Sequence, residues 1–173
     1  MTISTTEPDG DVRGEMVQVC IDGVMSVFQS RMREMLDEEG IERPDPQPEE
    51  WYPLSKFRHV LVAVEENAGE NALEKVGEST PRFVDWPSPA ASGSPSDGLS
   101  QLADLYDTEH RSAPGDYTFE STGETTARIV STTPYPATWE SGLIKGTAQH
   151  FGADYARVTT TEAGDETAFE VSW

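Results

Sequence analysis

The chain has 173 residues, of which 32 are acidic and only 12 are basic, so its formal charge at neutral pH is −20. Such a charge repels the phosphates of nucleic acids and anionic membrane surfaces, and we expect neither as a partner. The single cysteine, Cys20, excludes an internal disulfide and a cluster of thiolate metal ligands within the chain.

The excess of carboxylates is typical of proteins from a salt-rich cytoplasm. Only three lysines are present, namely Lys56, Lys75 and Lys145. Dense carboxylates keep a surface hydrated, and concentrated cations screen their mutual repulsion. The acidic start of the chain lacks the apolar centre of a signal peptide, and no apolar run is long enough to span a membrane. We therefore expect a cytoplasmic protein of halophilic type.

The charge predicts that the fold depends on high salt. Thermal unfolding should have a lower midpoint in dilute buffer than in molar KCl, because unscreened carboxylates repel one another. Repeating the pair of measurements near pH 4, where about half of the carboxylates are protonated, should shrink the difference. Equal midpoints at neutral pH would contradict the halophilic interpretation.

The N-terminal half reads as helical after an acidic tail. Residues 1–15 are predicted to be disordered, and residues 16–173 to form a single domain. Apolar residues then recur at helical spacing from Val24 to Leu36, and Gly40 ends this first long helix. A proline-rich connector over 40–50 leads to a second helix that begins near Leu54. Its buried face is expected to hold Phe57, Val60, Leu61 and Val64.

The middle of the chain is less regular. A short helical segment over 70–78 precedes PRFVDW, which fits a helical turn or an extended piece. WPSPAASGSPSDG, residues 86–98, reads as a flexible loop because it is rich in serine, glycine and proline. Asp97 or Ser100 is expected to cap a further helix, which ends at His110 before the Pro114–Gly115 break.

Strands dominate after Gly115. Alternating apolar residues predict a hairpin over 117–133, a helix follows over 138–152, and two strands joined by a turn at 163–165 close the chain. The order predicts an α+β fold, in which N-terminal helices pack on one face of a four- to five-stranded antiparallel sheet.

Three apolar helix faces on a small sheet either fill their shared space or leave a cavity. We predict an apolar pocket between the first two helices and the sheet, able to take a flat or chain-like hydrophobe; a fully packed core is the alternative. The expected ligand-binding residues are Phe28, Met32, Trp51, Tyr52, Phe57 and Leu61. Trp51 and Tyr52 would close this pocket.

The C-terminal segment 139–173 resembles a known family. A glycine-containing helix reading GLIKG, an FG helix end, a GD turn and a last strand reading FEV are similar to the haem nitric-oxide/oxygen binding (H-NOX) domains. They also resemble the vinyl-reductase-type small-molecule-binding domains and the TRAPP-like fold. The segment WYPLSKFRHVLVAVEENAGENALEKVGE fits the helical half more loosely. These motifs specify packing, so the resemblance implies a fold rather than an activity.

The H-NOX resemblance makes His110 a candidate haem ligand. In that family a helix histidine ligates the haem iron, and a Tyr-x-Ser-x-Arg motif holds the propionates. The corresponding segment is Ile129–Val130–Ser131–Thr132–Thr133, in which only the serine remains. Without the forked arginine an acidic chain should hold a dianionic porphyrin poorly. We expect no haem and favour His110 as a helix-end residue, with a polar contact to another ligand as the alternative.

No metal site is expected. Many vinyl-reductase-type domains carry a cysteine after their GD turn, where this chain has Ala168. His59 and His150 have neither a histidine at helical spacing nor a cysteine partner, so zinc is unsupported.

Three functional interpretations remain open. Phosphate-loop, dinucleotide-binding and nucleophile-elbow motifs are absent from the sequence. We favour a non-catalytic small-molecule-binding or sensory domain, which would signal through a homodimer or a separate signalling protein. The first alternative is a protein-interaction or homodimerisation module of the TRAPP-like fold. The second is an enzyme of unknown type.

Overall fold

The computed structural model describes residues 7–41, 46–88 and 93–173. Most helices lie in the N-terminal part of the chain and most strands in the C-terminal part, and a 3₁₀ turn spans Thr80–Arg82. The elements are β1 Asp11–Arg13, α1 Gly14–Asp22, α2 Ser26–Glu38, β2 Trp51–Pro53, α3 Leu54–Ala68, α4 Glu70–Ser79, α5 Pro95–Ser100, α6 Leu102–Glu109, β3 His110–Arg111, β4 Tyr117–Gly123, β5 Thr126–Ser131, α7 Ala137–His150, β6 Arg157–Ala163 and β7 Glu166–Ser172. None of these helices is long and apolar enough to cross a membrane.

The larger sheet has four antiparallel strands in the order β4-β5-β7-β6. Its inner face is apolar because side chains alternate along each strand, as Ile129 opposite Phe169 and Ala127 opposite Val171 illustrate. The opposite face is largely exposed. The predicted α+β class and the two C-terminal hairpins are confirmed.

A second, three-stranded sheet has the order β2-β1-β3 and was not predicted. In its centre Val12 is fully buried and pairs with Tyr52 on one side and His110 on the other. The prediction of a disordered tail over 1–15 is therefore wrong for residues 11–15, whereas residues 1–6 lie outside the described part of the chain. A single apolar residue between charged neighbours hid this strand from the sequence pattern.

The predicted flexible loop over 86–98 is also partly wrong. Ser94 caps α5 through a reciprocal pair of hydrogen bonds with Asp97, so the last residues of the segment are helical. Trp86 anchors the start of the segment by donating from Nε1 to the Pro81 carbonyl at 2.9 Å. Residues 89–92 lie outside the described residues.

Helix α7 is central to the fold because it packs against α4 on one side and the larger sheet on the other. Its backbone comes very close to that of α4: a Cβ added at Gly142 would lie 2.1 Å from the Glu74 carbonyl oxygen. Helices α5, α6 and α7 supply the main cover of the larger sheet, while α2 and α3 pack against each other and α3 also contacts the smaller sheet. The helices that pack on the larger sheet are therefore mainly α5, α6 and α7, and not the N-terminal helices that were predicted to do so.

Candidate functional site

An aromatic cluster lies between α6, the larger sheet and α7, around the junction of the two sheets. The His110 ring stacks on Tyr106 with centroids 4.1 Å apart, and Tyr135 packs against Trp139 at 4.5 Å. Further members meet edge to face. The cluster consists of Phe57, Tyr106, His110, Tyr117, Tyr135 and Trp139.

His110 is held by hydrogen bonds at both ring nitrogens. Its Nδ1 lies 2.9 Å from the Tyr106 carbonyl oxygen, and its Nε2 contacts the Tyr135 hydroxyl. A carbonyl only accepts, so Nδ1 donates its proton and Nε2 accepts from the tyrosine. Burial lowers the pKa of His110 to about 4. The ring is therefore a neutral, fully partnered group at neutral pH.

Glu140 is a buried carboxyl group on the inward face of α7. Its Oε1 accepts hydrogen bonds from the hydroxyls of Tyr117, Ser131 and Thr133. Burial raises the pKa of Glu140 to about 7, although these three donors act in the opposite direction. Ser131 and Thr133 belong to the segment that corresponds to the propionate-binding motif, and here they bind a carboxyl group of the chain itself.

Glu109, the last residue of α6, is fully buried. Its charged neighbours are Arg13, whose Nη1 lies 3.9 Å from Oε1, and the Glu15 carboxyl. Burial raises the pKa of Glu109 to about 9, and the Glu15 carboxyl acts in the same direction. Glu109 is therefore protonated and neutral at pH 7.

A small, mainly apolar cavity borders this cluster. Its volume of about 10 Å³ corresponds to one water molecule. Trp139 and Glu109 are among its lining residues, and the Trp139 Nε1–H has no hydrogen-bond partner among the described residues. The lining is formed by Met16, Leu102, Leu105, Tyr106, Glu109, His110, Tyr117, Tyr135, Trp139 and Leu143.

None of the six predicted ligand-binding residues lines this cavity. Phe28 was expected to face inward, but 57% of it is exposed; Met32, Phe57 and Leu61 are buried in the core. Trp51 lies under the Arg111 guanidinium, and the Tyr52 hydroxyl accepts from the Gln47 amide at 2.9 Å. In the structure α6 and α7, rather than α2 and α3, cover the inner face of the larger sheet beside the cavity, and the binding role of the six residues stays a prediction.

The sequence analysis also missed Glu109 and Glu140. Both were hidden because 32 acidic residues make any single one read as solvated surface. Helical spacing carried a signal for each: Glu109 follows Leu102 and Leu105 by seven and four positions, and Glu140 precedes Leu143 and Ile144 by three and four. A carboxyl group on the apolar stripe of a helix is a buried one.

A second described pocket is an open polar groove of about 630 Å³ between α3, α4, the start of α7 and β6. Four glutamates line it, and the Arg58 guanidinium donates to the Pro134 carbonyl at 2.7 Å. Among the described residues, no group of three or more potential metal ligands is assembled there or elsewhere.

Neither a protein-family model nor a curated protein matches the sequence. Solved structures do. The chain is similar to an oxygen-binding H-NOX domain related to soluble guanylate cyclases, with a TM-score of 0.65 and 17% identity over 92% of both chains. It is also similar to an H-NOX protein from S. oneidensis, with a TM-score of 0.70 and 13% identity over 92% of this chain and 95% of the other.

A variant H-NOX protein from K. algicida gives a TM-score of 0.68 at 15% identity, again over 92% of this chain and 95% of that one. The chain has the H-NOX fold. The H-NOX likeness covers both the helical half and the sheet, so the resemblance first noted in the C-terminal segment extends to nearly the whole chain. At these identities it applies to the fold alone. The TRAPP-like and halophilic interpretations stay predictions.

Proposed function

We propose that this chain is a haem-free sensory domain of the H-NOX fold that binds a small molecule at the mainly apolar cavity beside His110. The observation that carries the proposal is the cavity itself, a mainly apolar space beside His110 whose lining residues include Glu109 and Trp139. A mainly apolar cavity with a few polar residues in its lining is the usual form of a small-molecule site. We place the domain in a salt-rich cytoplasm because of its charge.

Three features support the absence of haem. The residues around His110 do not fit a porphyrin, because the cavity has the volume of one water molecule. Both nitrogens of His110 are engaged, so ligation of iron by Nε2 would break the bond from Tyr135. Ser131 and Thr133, where propionate oxygens would be bound, already donate to Glu140. Thr133 also stands where the family motif has its arginine.

Titration with haemin tests this part of the proposal. We expect absorbance spectra that are the sum of free haemin and protein, with no sharp Soret shift at one equivalent. His110→Ala should give the same spectra, because the wild-type histidine is not available to iron. A stoichiometric Soret shift that disappears in His110→Ala would contradict the proposal.

A second candidate function is an interaction or homodimerisation module. Three apolar side chains around the start of α2 are exposed: Met25 at 71%, Val27 at 72% and Phe28 at 57%. Such a patch is typical of surfaces that contact another protein. Sedimentation analysis in molar KCl separates the candidates, because a dimer that dissociates in Phe28→Ser would favour the interaction module.

A further inference from the structure

Two glutamate carboxyl groups meet where the smaller sheet joins the helices. Glu109, at the end of α6, is fully buried, and its hydrogen-bonding neighbour is the half-buried Glu15 in the first turn of α1. Glu15 Oε1 also accepts a hydrogen bond from the Asp85 amide at 3.4 Å. On the other side of the pair, Arg13 Nη1 lies 3.9 Å from Glu109 Oε1. The two carboxyl groups therefore connect the N-terminal segment to the end of α6.

A hydrogen bond between two carboxyl groups requires a proton on one of them, because a carboxylate only accepts. Burial disfavours the charged form, so the proton belongs to Glu109, and Glu15 is the ionised acceptor. The pair then carries one negative charge beside the one positive charge of Arg13. Burial raises the pKa of Glu109 to about 9, and the Glu15 carboxyl acts in the same direction, which agrees with this placement of the proton.

We propose that Glu15 and Glu109 share one proton, and that this shared proton is a latch that holds β1 and the start of α1 against the end of α6. Val12 of β1 pairs with His110, the residue after Glu109, so the latch lies next to the pairing of β1 with β3. When the proton passes to water, two carboxylates and Asp85 share one guanidinium, and their repulsion favours opening of the smaller sheet. Opening lets water solvate the new charge on Glu109.

Other titratable groups act on Glu109 from the neighbouring elements. Asp85, after the 3₁₀ turn, raises the pKa of Glu109, whereas Arg13 on β1 lowers it. Burial raises the pKa of the Tyr135 hydroxyl well above its usual range and lowers the pKa of His110 to about 4. Both groups are therefore neutral between pH 6 and 9, and neither competes with Glu109 for the proton.

Hydrogen exchange of the backbone amides of residues 11–13, measured by mass spectrometry between pH 6 and 9, tests the latch. After correction for the intrinsic exchange rate, the opening constant should rise about tenfold per pH unit, because each opening releases one proton. The rise should level off above pH 9, where Glu109 is ionised in the closed state as well. Peptides of α7 should stay protected, because the opening is local. Exchange of β1 together with α7 would overturn the proposal, and so would an opening constant that does not change with pH.

Two variants separate the shared proton from a merely structural contact. Glu109→Gln is the matched control, because a carboxamide donates to the Glu15 carboxylate from nearly the same place and cannot ionise. Its opening constant should be independent of pH between 6 and 9. Glu15→Gln removes the neighbouring charge, so the rise should level off at a lower pH than in the wild type. A Glu109→Gln protein with the pH dependence of the wild type would overturn the proposal.

Infrared spectroscopy of the wild type detects the proton directly and needs no variant that folds. At pH 8, above the pKa of about 7 of Glu140, the C=O stretching band of a protonated, buried carboxyl group should remain. It should disappear as the pH rises through 9 and be missing from Glu109→Gln at pH 8. A wild-type spectrum without this band at pH 8 would overturn the shared proton, whatever the exchange data show.

Discussion

Replacing Gly142 by alanine is expected to destabilise the fold by about 3 kcal/mol or more, although alanine is the better helix former. The new Cβ would lie 2.1 Å from the Glu74 carbonyl oxygen and 2.9 Å from the Glu78 amide nitrogen. Both atoms belong to the backbone of α4, so no side chain can rotate away. Helices α4 and α7 would have to separate, and the packing of α7 on the larger sheet would loosen with them.

The test compares the free energies of unfolding of Gly142→Ala, the control variant Ser141→Ala and the wild type, measured in urea. Ser141 is the preceding residue of α7 and faces the open polar groove, so its substitution should change the free energy of unfolding by less than about 0.5 kcal/mol. A Gly142→Ala protein that is as stable as the wild type, as helix propensity alone would predict, would contradict the close approach of the two helices.

Glu140→Gln is expected to change how stability depends on pH. The pKa of Glu140 is raised from 4.5 to about 7 in the folded protein, so the folded state favours the neutral acid. Its contribution is fully present below pH 4.5 and is lost as the pH rises through 7. Between these pH values the free energy of unfolding of the wild type should fall by about 3 kcal/mol more than that of Glu140→Gln, whose side chain stays neutral.

The measurement is the free energy of unfolding of both proteins at intervals between pH 4 and 8 in molar KCl. The difference should grow with pH and level off above pH 7. His110 titrates in the opposite sense, because its pKa is lowered to about 4, but it is common to both proteins and cancels. The exposed Glu120 on β4 provides the control, since Glu120→Gln should run parallel to the wild type. If the curve of Glu140→Gln ran parallel to that of the wild type, it would contradict a buried Glu140 carboxyl with a raised pKa.

The sequence predicted those parts of the fold that have a clear apolar period. Helices α3 and α7 and the two C-terminal hairpins follow from such patterns, and the H-NOX likeness of residues 139–173 indicated the architecture. Strand β1 could not be found, because one buried valine between charged residues has no period. Helix α1 was missed because MVQVC is short and apolar at most positions.

The site was harder to predict because it depends on contacts between distant segments. His110 follows α6, Tyr135 lies between β5 and α7, and Glu140 lies on α7. They come together only in the folded chain, and no spacing in the sequence encodes the bond from Tyr135 to His110. The prediction that His110 ends a helix is confirmed, because His110 caps the C-terminus of α6. Its second role, as an edge of the smaller sheet and a wall of the cavity, required the pairing with Val12.

We expect the smaller sheet to control how quickly the cavity exchanges its contents. Strands β1, β2 and β3 contain only two or three residues each, so this sheet separates by breaking few backbone hydrogen bonds. Local openings of this kind require much less free energy than global unfolding. The close approach of α4 and α7 at Gly142 holds one side of the cavity, so we expect local opening to occur at the smaller sheet, whose His110 lines the cavity. We expect the residence time of a bound molecule to follow the opening rate of β1, which also limits how fast such a sensor responds.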